Sequence, residues 1–243
     1  MLLALHLFAI LPPDASTHGP ALDRHLLLNL WIILALAAIA HILLFVGLLA
    51  KRTNRPRHLW AIEYLPLALL AVLFAALGIR AERLWAATRY TGASHEAMQI
   101  EVTGQQFAWY FRYPGPDASF GITQPQLADA AVGNPVGIDP SDPHSADDFV
   151  SSELVLPAGH EIDLALRAFD VIHGFSVPEL RLKQNAVPGE TIHVHFTATR
   201  PGTYAILCTQ LCGLGHYRMS ANLRVLPPAE FQAWLAKKEE ATR

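Results

Sequence analysis

Two long apolar runs dominate the first third of the chain. Residues 26–50 carry no formally charged side chain, and residues 59–79 form a second run made mainly of Leu and Ala. A helix rises about 1.5 Å per residue, so about 20 residues cross a bilayer core of about 30 Å. We therefore predict two membrane-spanning helices, joined as a hairpin, within residues 1–95.

Polar side chains in and between these runs indicate an orientation. Four Lys and Arg side chains lie within residues 51–58. Short loops rich in Lys and Arg stay in the cytoplasm, so both termini are predicted on the outer side of the membrane. Glu63 then lies near the inner interface, where it either takes up protons or reaches the headgroups. His41, inside the first run, is either a functional residue or a histidine hydrogen-bonded at a helix interface.

From residue 98 onward the apolar residues follow the two-residue alternation typical of β-strands. Residues 98–113 predict strands, and Ile162, Leu164 and Leu166 alternate with the residues between them. Several short strands separated by turn signals favour a sandwich or barrel. We assign residues 96–243 to this domain.

Two segments of this domain do not follow the strand pattern. Residues 114–149 are rich in Pro, Gly and Asp and lack periodicity, which predicts a loop insertion. Near the C-terminus, Phe231, Trp234 and Leu235 have helical spacing, which predicts a short helix packed on the domain.

One predicted strand presents two histidines on a single face. In residues 191–197, Ile192, Val194 and Phe196 alternate with His193 and His195. The pair is either a two-histidine metal site or a pair of solvent-facing residues on a half-buried strand.

The charge of the chain limits its partners. The 243 residues have a formal net charge of −3, which argues against a nucleic-acid partner. Residues 101–243 contain 10 Lys and Arg against 16 Asp and Glu. Such an acidic part either attracts basic partners by electrostatic steering or is ordinary solvated surface.

Candidate metal ligands are concentrated in the twelve residues from Cys208 to Met219. This stretch holds both cysteines of the chain and His216. Thiolate, imidazole and thioether form a soft ligand set that selects copper, and a mononuclear blue-copper site needs only one Cys. Two thiolates could therefore bridge two coppers, whereas a Cys208–Cys212 disulfide is the alternative. The chain has no Cys-x-x-Cys-His motif, so no covalent c-type haem is expected.

A second imidazole is available upstream at His173. This residue lies at the predicted end of a strand beside Gly174, and Asp170 is close enough in sequence to orient its ring. An upstream strand-end histidine combined with a downstream loop of Cys, His and Met is how a Greek-key copper fold gathers its ligands.

With these motifs the chain resembles subunit II of haem–copper cytochrome c oxidase, from the hairpin to about residue 226. The resemblance is carried by residues 170–173, 185–189 and 201–204, and by the pattern Cys-x3-Cys-Gly-x2-His-x2-Met between Cys208 and Met219. It implies an N-terminal two-helix transmembrane hairpin followed by an all-β, cupredoxin-like Greek-key domain that holds two copper ions.

The resemblance also implies how the coppers are held. The two cysteines would bridge both metals, and the six implied ligand groups are the side chains of His173, Cys208, Cys212, His216 and Met219 and the backbone carbonyl of Gln210. His173 and Met219 would complete one copper, and His216 and the Gln210 carbonyl the other. The family usually has a Glu in place of Gln210, whose carboxylate binds magnesium. A neutral amide is a poor magnesium ligand, so no magnesium is assigned here.

The function implied by the resemblance is electron transfer. Such a subunit accepts electrons from cytochrome c or a similar one-electron donor and passes them to haem in catalytic subunit I, which reduces oxygen to water. The family usually has a Trp in place of Phe107 where electrons enter, and Trp109 is retained. The resemblance places the protein in a bacterial plasma membrane, among lipid and other oxidase subunits, with the copper domain on the periplasmic side.

Three other functions fit parts of the pattern. One is a membrane-anchored mononuclear cupredoxin that carries electrons, which the second cysteine disfavours. Another is a copper-delivery or structural membrane protein whose cysteines form a disulfide. A copper-free quinol-oxidase relative is disfavoured because every side-chain ligand position is filled.

Overall fold

The computed structural model describes residues 11–50 and 59–242. The chain forms two compact units: residues 20–90 make up a helix unit, and the residues up to 19 join those from 91 onward in a sheet unit. The sequence pattern places one boundary near residue 95. The contacts instead assign residues 11–19, which precede the first helix, to the sheet unit.

The helix unit consists of α1 (Gly19–Leu49) and α2 (Leu59–Arg89). Both helices are long and apolar enough to cross a membrane, and the apolar windows of both are 0% buried inside the protein. Each helix extends beyond its apolar run, and α2 continues through Arg80, Glu82 and Arg83. Ala, Leu, Arg and Glu all favour helix, so the backbone does not change where the apolar run ends.

The structure describes two of the polar features predicted in the apolar runs, His41 and Glu63. His41 Nδ1 lies 2.7 Å from the carbonyl of Ala37, one turn earlier in the same helix, so its polar group is satisfied locally. Glu63 is an exposed residue near the start of α2. The basic segment 51–58, on which the predicted orientation depends, lies outside the described residues.

The sheet unit is a sandwich of two five-stranded sheets. One sheet has the order β3-β2-β1-β5-β8 and the other the order β4-β10-β9-β6-β7. The strands are β1 (Met98–Gln105), β2 (Ala108–Tyr113), β3 (Phe149–Ser151), β4 (Leu154–Pro157), β5 (Glu161–Ala168), β6 (His173–Val177), β7 (Leu182–Ala186), β8 (Ile192–Thr197), β9 (Gly202–Cys208) and β10 (Ser220–Leu226). Apolar side chains from both sheets form one core. This architecture confirms the predicted cupredoxin-like fold.

Alternation predicted the core side of β5 correctly. Ile162, Leu164 and Leu166 are all fully buried. The opposite face is less open than the pattern suggests, since Asp163 and Ala165 between them are also buried.

The residues before α1 cover part of the sheet unit. The Ala15 amide donates to the Glu179 carbonyl at 2.9 Å, and the Thr199 amide donates to the Ala15 carbonyl at 2.8 Å. His18 presents its ring edge to His195 at a centroid distance of 6.2 Å. This short segment therefore lies against the strand that carries the two candidate histidines.

Neither interpretation of His193 and His195 fits both residues. His193 is exposed and its Nδ1 lies 2.9 Å from Asp163, whereas His195 is buried. Within residues 11–50 and 59–242, neither belongs to a group of three or more His, Cys, Asp or Glu side chains suited to a metal. The solvent-facing interpretation holds for His193 alone.

The insertion at 114–149 is folded onto the sheet by a buried arginine. It contains three short 3-10 helices, Pro125–Leu127, Ala130–Val132 and Pro143–Ser145, and ends in β3. Arg112 of β2 is 1% exposed and pairs with Glu101 of β1 at 2.9 Å and with Asp148 of the insertion. The same guanidinium donates to the Gly121 carbonyl at 2.6 Å, so it joins the insertion to β1 and β2.

The predicted C-terminal helix is present as α3 (Pro228–Thr242). Phe231 is buried, and the Trp234 ring meets Tyr113 at 5.4 Å and Phe149 at 5.9 Å between ring centroids. The Tyr113 and Phe149 rings are themselves stacked at 4.9 Å. This aromatic cluster fixes α3 where the insertion rejoins the sheet.

We expect Arg112→Met to destabilise the sheet unit by about 3–5 kcal/mol, because it leaves the carboxylate of Asp148 buried without its arginine and leaves Glu101 with Arg167 alone. Arg224→Met is the matched control. Its ion pair with Glu153 is more than a third exposed on both sides and is worth about 1 kcal/mol or less. Thermal unfolding of the full chain, followed by near-ultraviolet circular dichroism, makes the comparison. Equal shifts for the two variants would show that burial of the network contributes nothing.

Candidate metal centre

The downstream ligands lie in the connection between β9 and β10. β9 ends at Cys208 and β10 begins at Ser220, and we name the twelve residues from Cys208 to Met219 the ligand loop. The Cys208 amide donates to the Met219 carbonyl at 3.1 Å. This bond closes the base of the ligand loop and places its first and last candidate ligands side by side.

A short 3-10 helix, His216–Arg218, shapes the second half of the ligand loop. The His216 amide donates to the Gly213 carbonyl, and the Met219 amide donates to the His216 carbonyl. Met219 is buried and His216 half-buried. The local turn therefore directs both side chains towards the cysteines.

The structure brings the predicted donor atoms of the ligand loop together. The two Sγ atoms of Cys208 and Cys212 are 3.8 Å apart, and both thiols are free. Cys212 Sγ lies 3.5 Å from His216 Nδ1 and 3.8 Å from Met219 Sδ. The Gln210 carbonyl oxygen lies 3.2 Å from Cys208 Sγ. Three sulfurs, an imidazole and a carbonyl thus face one small volume.

His173 reaches the same volume from β6. Its side chain is fully buried, and one ligand atom from each of His173, Cys208 and Cys212 lies within 4.8 Å of the others. His173 Nε2 lies 2.7 Å from Asp170 Oδ1, whereas Nδ1 is buried and has no hydrogen-bond partner among the described residues. With a carboxylate as its partner, Nε2 carries the proton and Nδ1 keeps a free lone pair for a metal.

Asp170 is fixed by more than its histidine. It also accepts hydrogen bonds from the backbone amides of Gln106 and Val171, both at 2.7 Å. Burial alone would raise the pKa of Asp170, but these amides and the His173 ring hold it below its ordinary value. The carboxylate therefore remains charged and orients His173, as its position in the sequence suggested.

The turn between β1 and β2 packs on the ligand loop. Gln106 Nε2 donates to the Cys212 carbonyl at 2.5 Å. The Phe107 ring lies so close to Gly215 that an added Cβ there would be 2.4 Å from a ring atom. No local sequence signal predicts these contacts, which join segments separated by about a hundred residues.

The two aromatic residues assigned to electron transfer lie at different depths. Phe107 is half-buried over the ligand loop. Trp109 is 2% exposed, and its ring presents an edge to His173 at 5.9 Å and to Phe175 at 5.3 Å between centroids. Only Phe107 is therefore near the surface. The third functional candidate, Glu63, belongs to the helix unit.

Burial affects the chemistry of the thiols. Burial, together with the neighbouring Cys208 thiol, raises the pKa of Cys212 to about 11. Without a metal this thiol keeps its proton at neutral pH, and a metal must displace that proton to bind. The free thiols, the unpartnered His173 nitrogen and the soft donor set fit a copper centre. Gln210 offers only an exposed amide side chain, so nothing here favours magnesium.

Several large apolar side chains are exposed around the centre. Ile172, Leu211, Leu214 and Tyr217 are 42%, 76%, 98% and 86% exposed. We name these four residues the apolar rim. Large apolar side chains grouped in this way mark a surface that meets another molecule.

A glycine allows the ligand loop to approach β6. A Cβ added at Gly174 would lie 2.6 Å from Thr209 Oγ1 and 2.8 Å from the Gln210 amide nitrogen. The Thr209 amide donates to the Gly174 carbonyl at 2.9 Å, so backbone meets backbone at this point.

We therefore expect Gly174→Ala to displace the ligand loop from His173 and to lower copper binding at least tenfold, since the clash involves backbone atoms. Gly159→Ala is the control. It is strained at φ +77° but meets nothing within 4 Å, so it lowers stability without touching the loop. Copper per chain after reconstitution of the full protein is the measurement. Equal copper loss in the two variants would refute the close approach.

Comparisons with known proteins identify a family for the sheet unit. A family model described as "Cytochrome C oxidase subunit II, periplasmic domain" matches residues 98–225. The chain is 38% identical over 146 residues to the "Alternative cytochrome c oxidase subunit 2" of Bradyrhizobium diazoefficiens, covering 59% of this chain and 52% of that protein. It is 36% identical over 135 residues to the "Cytochrome c oxidase subunit 2" of Thermostichus vulcanus, covering 56% and 32%.

Among solved structures, the chain is similar to the periplasmic domain of subunit II of cytochrome oxidase (CoxB) of Bradyrhizobium japonicum. That similarity has a TM-score of 0.46 at 25% identity, and covers 62% of this chain and 99% of that one. The matches to the two curated relatives span about half or less of their lengths. Since the family model covers more than half of this chain and includes His173 and the whole ligand loop, the chain belongs to the cytochrome c oxidase subunit II family.

Proposed function

We propose that this chain is the electron-accepting subunit of a respiratory terminal oxidase. It would take electrons singly from cytochrome c or a similar donor and deliver them to haem in a catalytic partner subunit, where oxygen is reduced to water. The observation that carries this proposal is the pair of free thiols 3.8 Å apart, enclosed by His173, His216, Met219 and the Gln210 carbonyl. Family membership supplies the oxidase context.

The donor set fits two coppers. Cys208 and Cys212 would both hold copper, and two thiolates favour two metals because a mononuclear site of this type needs only one. His173 and Met219 would complete one copper, and His216 with the Gln210 carbonyl the other. When bound, such a centre would supply one-electron transfer with little change in bond lengths, because two bridging thiolates share the charge between the metals.

The surrounding residues hold the ligands in place and shield three of them from water. Backbone hydrogen bonds hold Cys208 to Met219 and Thr209 to Gly174, while Gln106 holds the Cys212 carbonyl. His173, Cys212 and Met219 are at most 4% exposed. A rigid ligand set with little water around it would rearrange little when the charge of the bound metals changes. Backbone dipoles that are already oriented around the ligands would reduce this rearrangement further. Six donors for two metals leave no open position for a substrate.

The surface and the charge support protein partners on the outer side of the membrane. The apolar rim offers an exposed contact surface next to the ligands. Residues 101–243 carry six more acidic than basic side chains, which favours a basic donor such as cytochrome c. The exposed apolar surfaces of α1 and α2 require lipid or other membrane subunits. We therefore propose anchoring in a bacterial inner membrane, with the sheet unit in the periplasm.

Three residues complete the proposal. Phe107 and Trp109 are proposed to admit electrons, since Phe107 covers the ligand loop and Trp109 contacts His173. Glu63, an exposed carboxyl near the start of α2, is proposed to take up protons from the cytoplasmic side.

The full chain should bind two coppers, with a purple colour and an electron paramagnetic resonance spectrum delocalised over both. Cys212→Ser should abolish that spectrum because a bridging thiolate is lost. Met219→Leu is the control, since it should keep both coppers bound and change only the reduction potential. One copper per chain with a blue-copper spectrum would establish the mononuclear carrier instead. An unchanged spectrum in Cys212→Ser would argue against bridging thiolates.

Metal-free protein under non-reducing conditions should show two free thiols. Cys208 should react with a thiol reagent before Cys212, because Cys208 is half-buried while Cys212 is 4% exposed and has a raised pKa. Peptide mapping after timed labelling separates the two residues. Absence of labelling until a reductant is added would reveal a disulfide and favour the copper-delivery function.

A further inference from the structure

A groove with three arginines runs between α1 and α2 at the end where both helices connect to the sheet unit. Its volume is about 360 Å³. Its lining includes Arg24 of α1, and Ala76, Ile79, Arg80, Arg83 and Leu84 of α2. The groove thus combines three cationic side chains with apolar ones, and the oxidase function proposed above assigns it no role.

An acidic residue directly precedes Arg24 and Arg83 in the sequence, yet the three arginines are not neutralised by ion pairs among the described residues. Arg24, Arg80 and Arg83 are exposed, and none forms an ion pair with a carboxylate among residues 11–50 and 59–242. Arg112 and Arg224 of the sheet unit, by contrast, each pair with acidic side chains. Three guanidinium groups around one groove repel each other unless an anion lies among them.

The arginines also lie at a particular depth along the helices. Arg24 precedes the apolar run 26–50 by two residues, and Arg80 directly follows the run 59–79. At about 1.5 Å per residue, both backbones lie within a few ångströms of the end of the apolar surface. In helices that span a bilayer this is the level of the lipid headgroups, and Ala76 and Ile79 lie in the apolar run on its hydrocarbon side.

The chemistry of the groove matches one class of ligand. Arginine binds phosphate through a planar fork of donors, and Arg80 and Arg83 are three residues apart on one helix face. The apolar members of the lining suit the first carbons of an acyl chain. We propose that this groove binds an anionic phospholipid, with its phosphate between Arg24, Arg80 and Arg83 and its acyl chains along α1 and α2. Basic pockets between membrane helices bind acidic headgroups at the cytoplasmic side of membranes, and the same chemistry applies to acidic headgroups at this outer end.

The proposal requires that α1 and α2 span the membrane, but it does not depend on the metal centre. Lipid binding and copper binding can therefore fail separately. Free inorganic phosphate would offer the arginines the same chemistry as a lipid headgroup. An acidic surface of a partner subunit is the other alternative occupant of the groove. The experiment separates all three.

The test uses the full-length chain in detergent, with native mass spectrometry to count retained lipid. Wild-type protein should retain one phosphatidylglycerol per chain in preference to phosphatidylcholine. The variant Arg24→Gln/Arg80→Gln/Arg83→Gln should bind phosphatidylglycerol at least about tenfold more weakly, given the contribution of each basic side chain near anionic lipid. Arg89→Gln is the control, because Arg89 lies on the same helix beside Trp85 and does not line the groove. It should bind like wild type.

Copper loading and helix content should stay unchanged in the triple variant, which shows that it folds. Equal phosphatidylglycerol binding by wild type and the triple variant would overturn the proposal. Equal retention of phosphatidylcholine would also overturn it, and displacement of the lipid by millimolar inorganic phosphate would show a free-anion site instead. If wild type retains no lipid and the triple variant fails to assemble with the catalytic subunit, the groove is a subunit contact and the proposal is wrong.

Discussion

The candidate metal centre depends on one close backbone approach, between the ligand loop and β6 at Gly174. His173 precedes Gly174 and Cys208 precedes Thr209, so the hydrogen bond from the Thr209 amide to the Gly174 carbonyl sets the spacing between two distant parts of the chain. A side chain at position 174 would fill the space that the Gln210 backbone occupies. The Cys208–Met219 bond and the Gln106 contact then orient the ligand loop around this fixed point.

Sequence predicted the parts of the site that are defined by short spacings. The ligand loop holds its cysteines, His216 and Met219 within twelve residues, so one turn of 3-10 helix suffices to gather them. His173 was identifiable because few other residues offered an imidazole at a strand end. Gln106 was not identifiable, because its bond to the Cys212 carbonyl crosses 106 residues and depends on how the two sheets pack. The Phe107 contact with Gly215 has the same origin.

The fold shows the same division between local and distant effects. Alternation predicted Ile162, Leu164 and Leu166 on the core side because each side of a strand is set by the pleat alone. It failed for His195, whose outer face is covered by the residues before α1. The burial of Arg112 could not be predicted either, because this residue lies within an aromatic stretch of the sequence. Its burial is stabilised by the buried carboxylate of Asp148, which only the folded insertion supplies.

The depth of the ligands limits how electrons can reach them. Cys208 and His216 are half-buried while Leu214 between them is 98% exposed, so these candidate ligands lie directly below the surface. A donor protein docked on the apolar rim would meet Phe107 and the ligand loop first, while Trp109 reaches His173 from the interior. So thin a cover requires neither a channel nor an opening motion. Under the proposed function, it suits a small, short-lived contact with the donor protein.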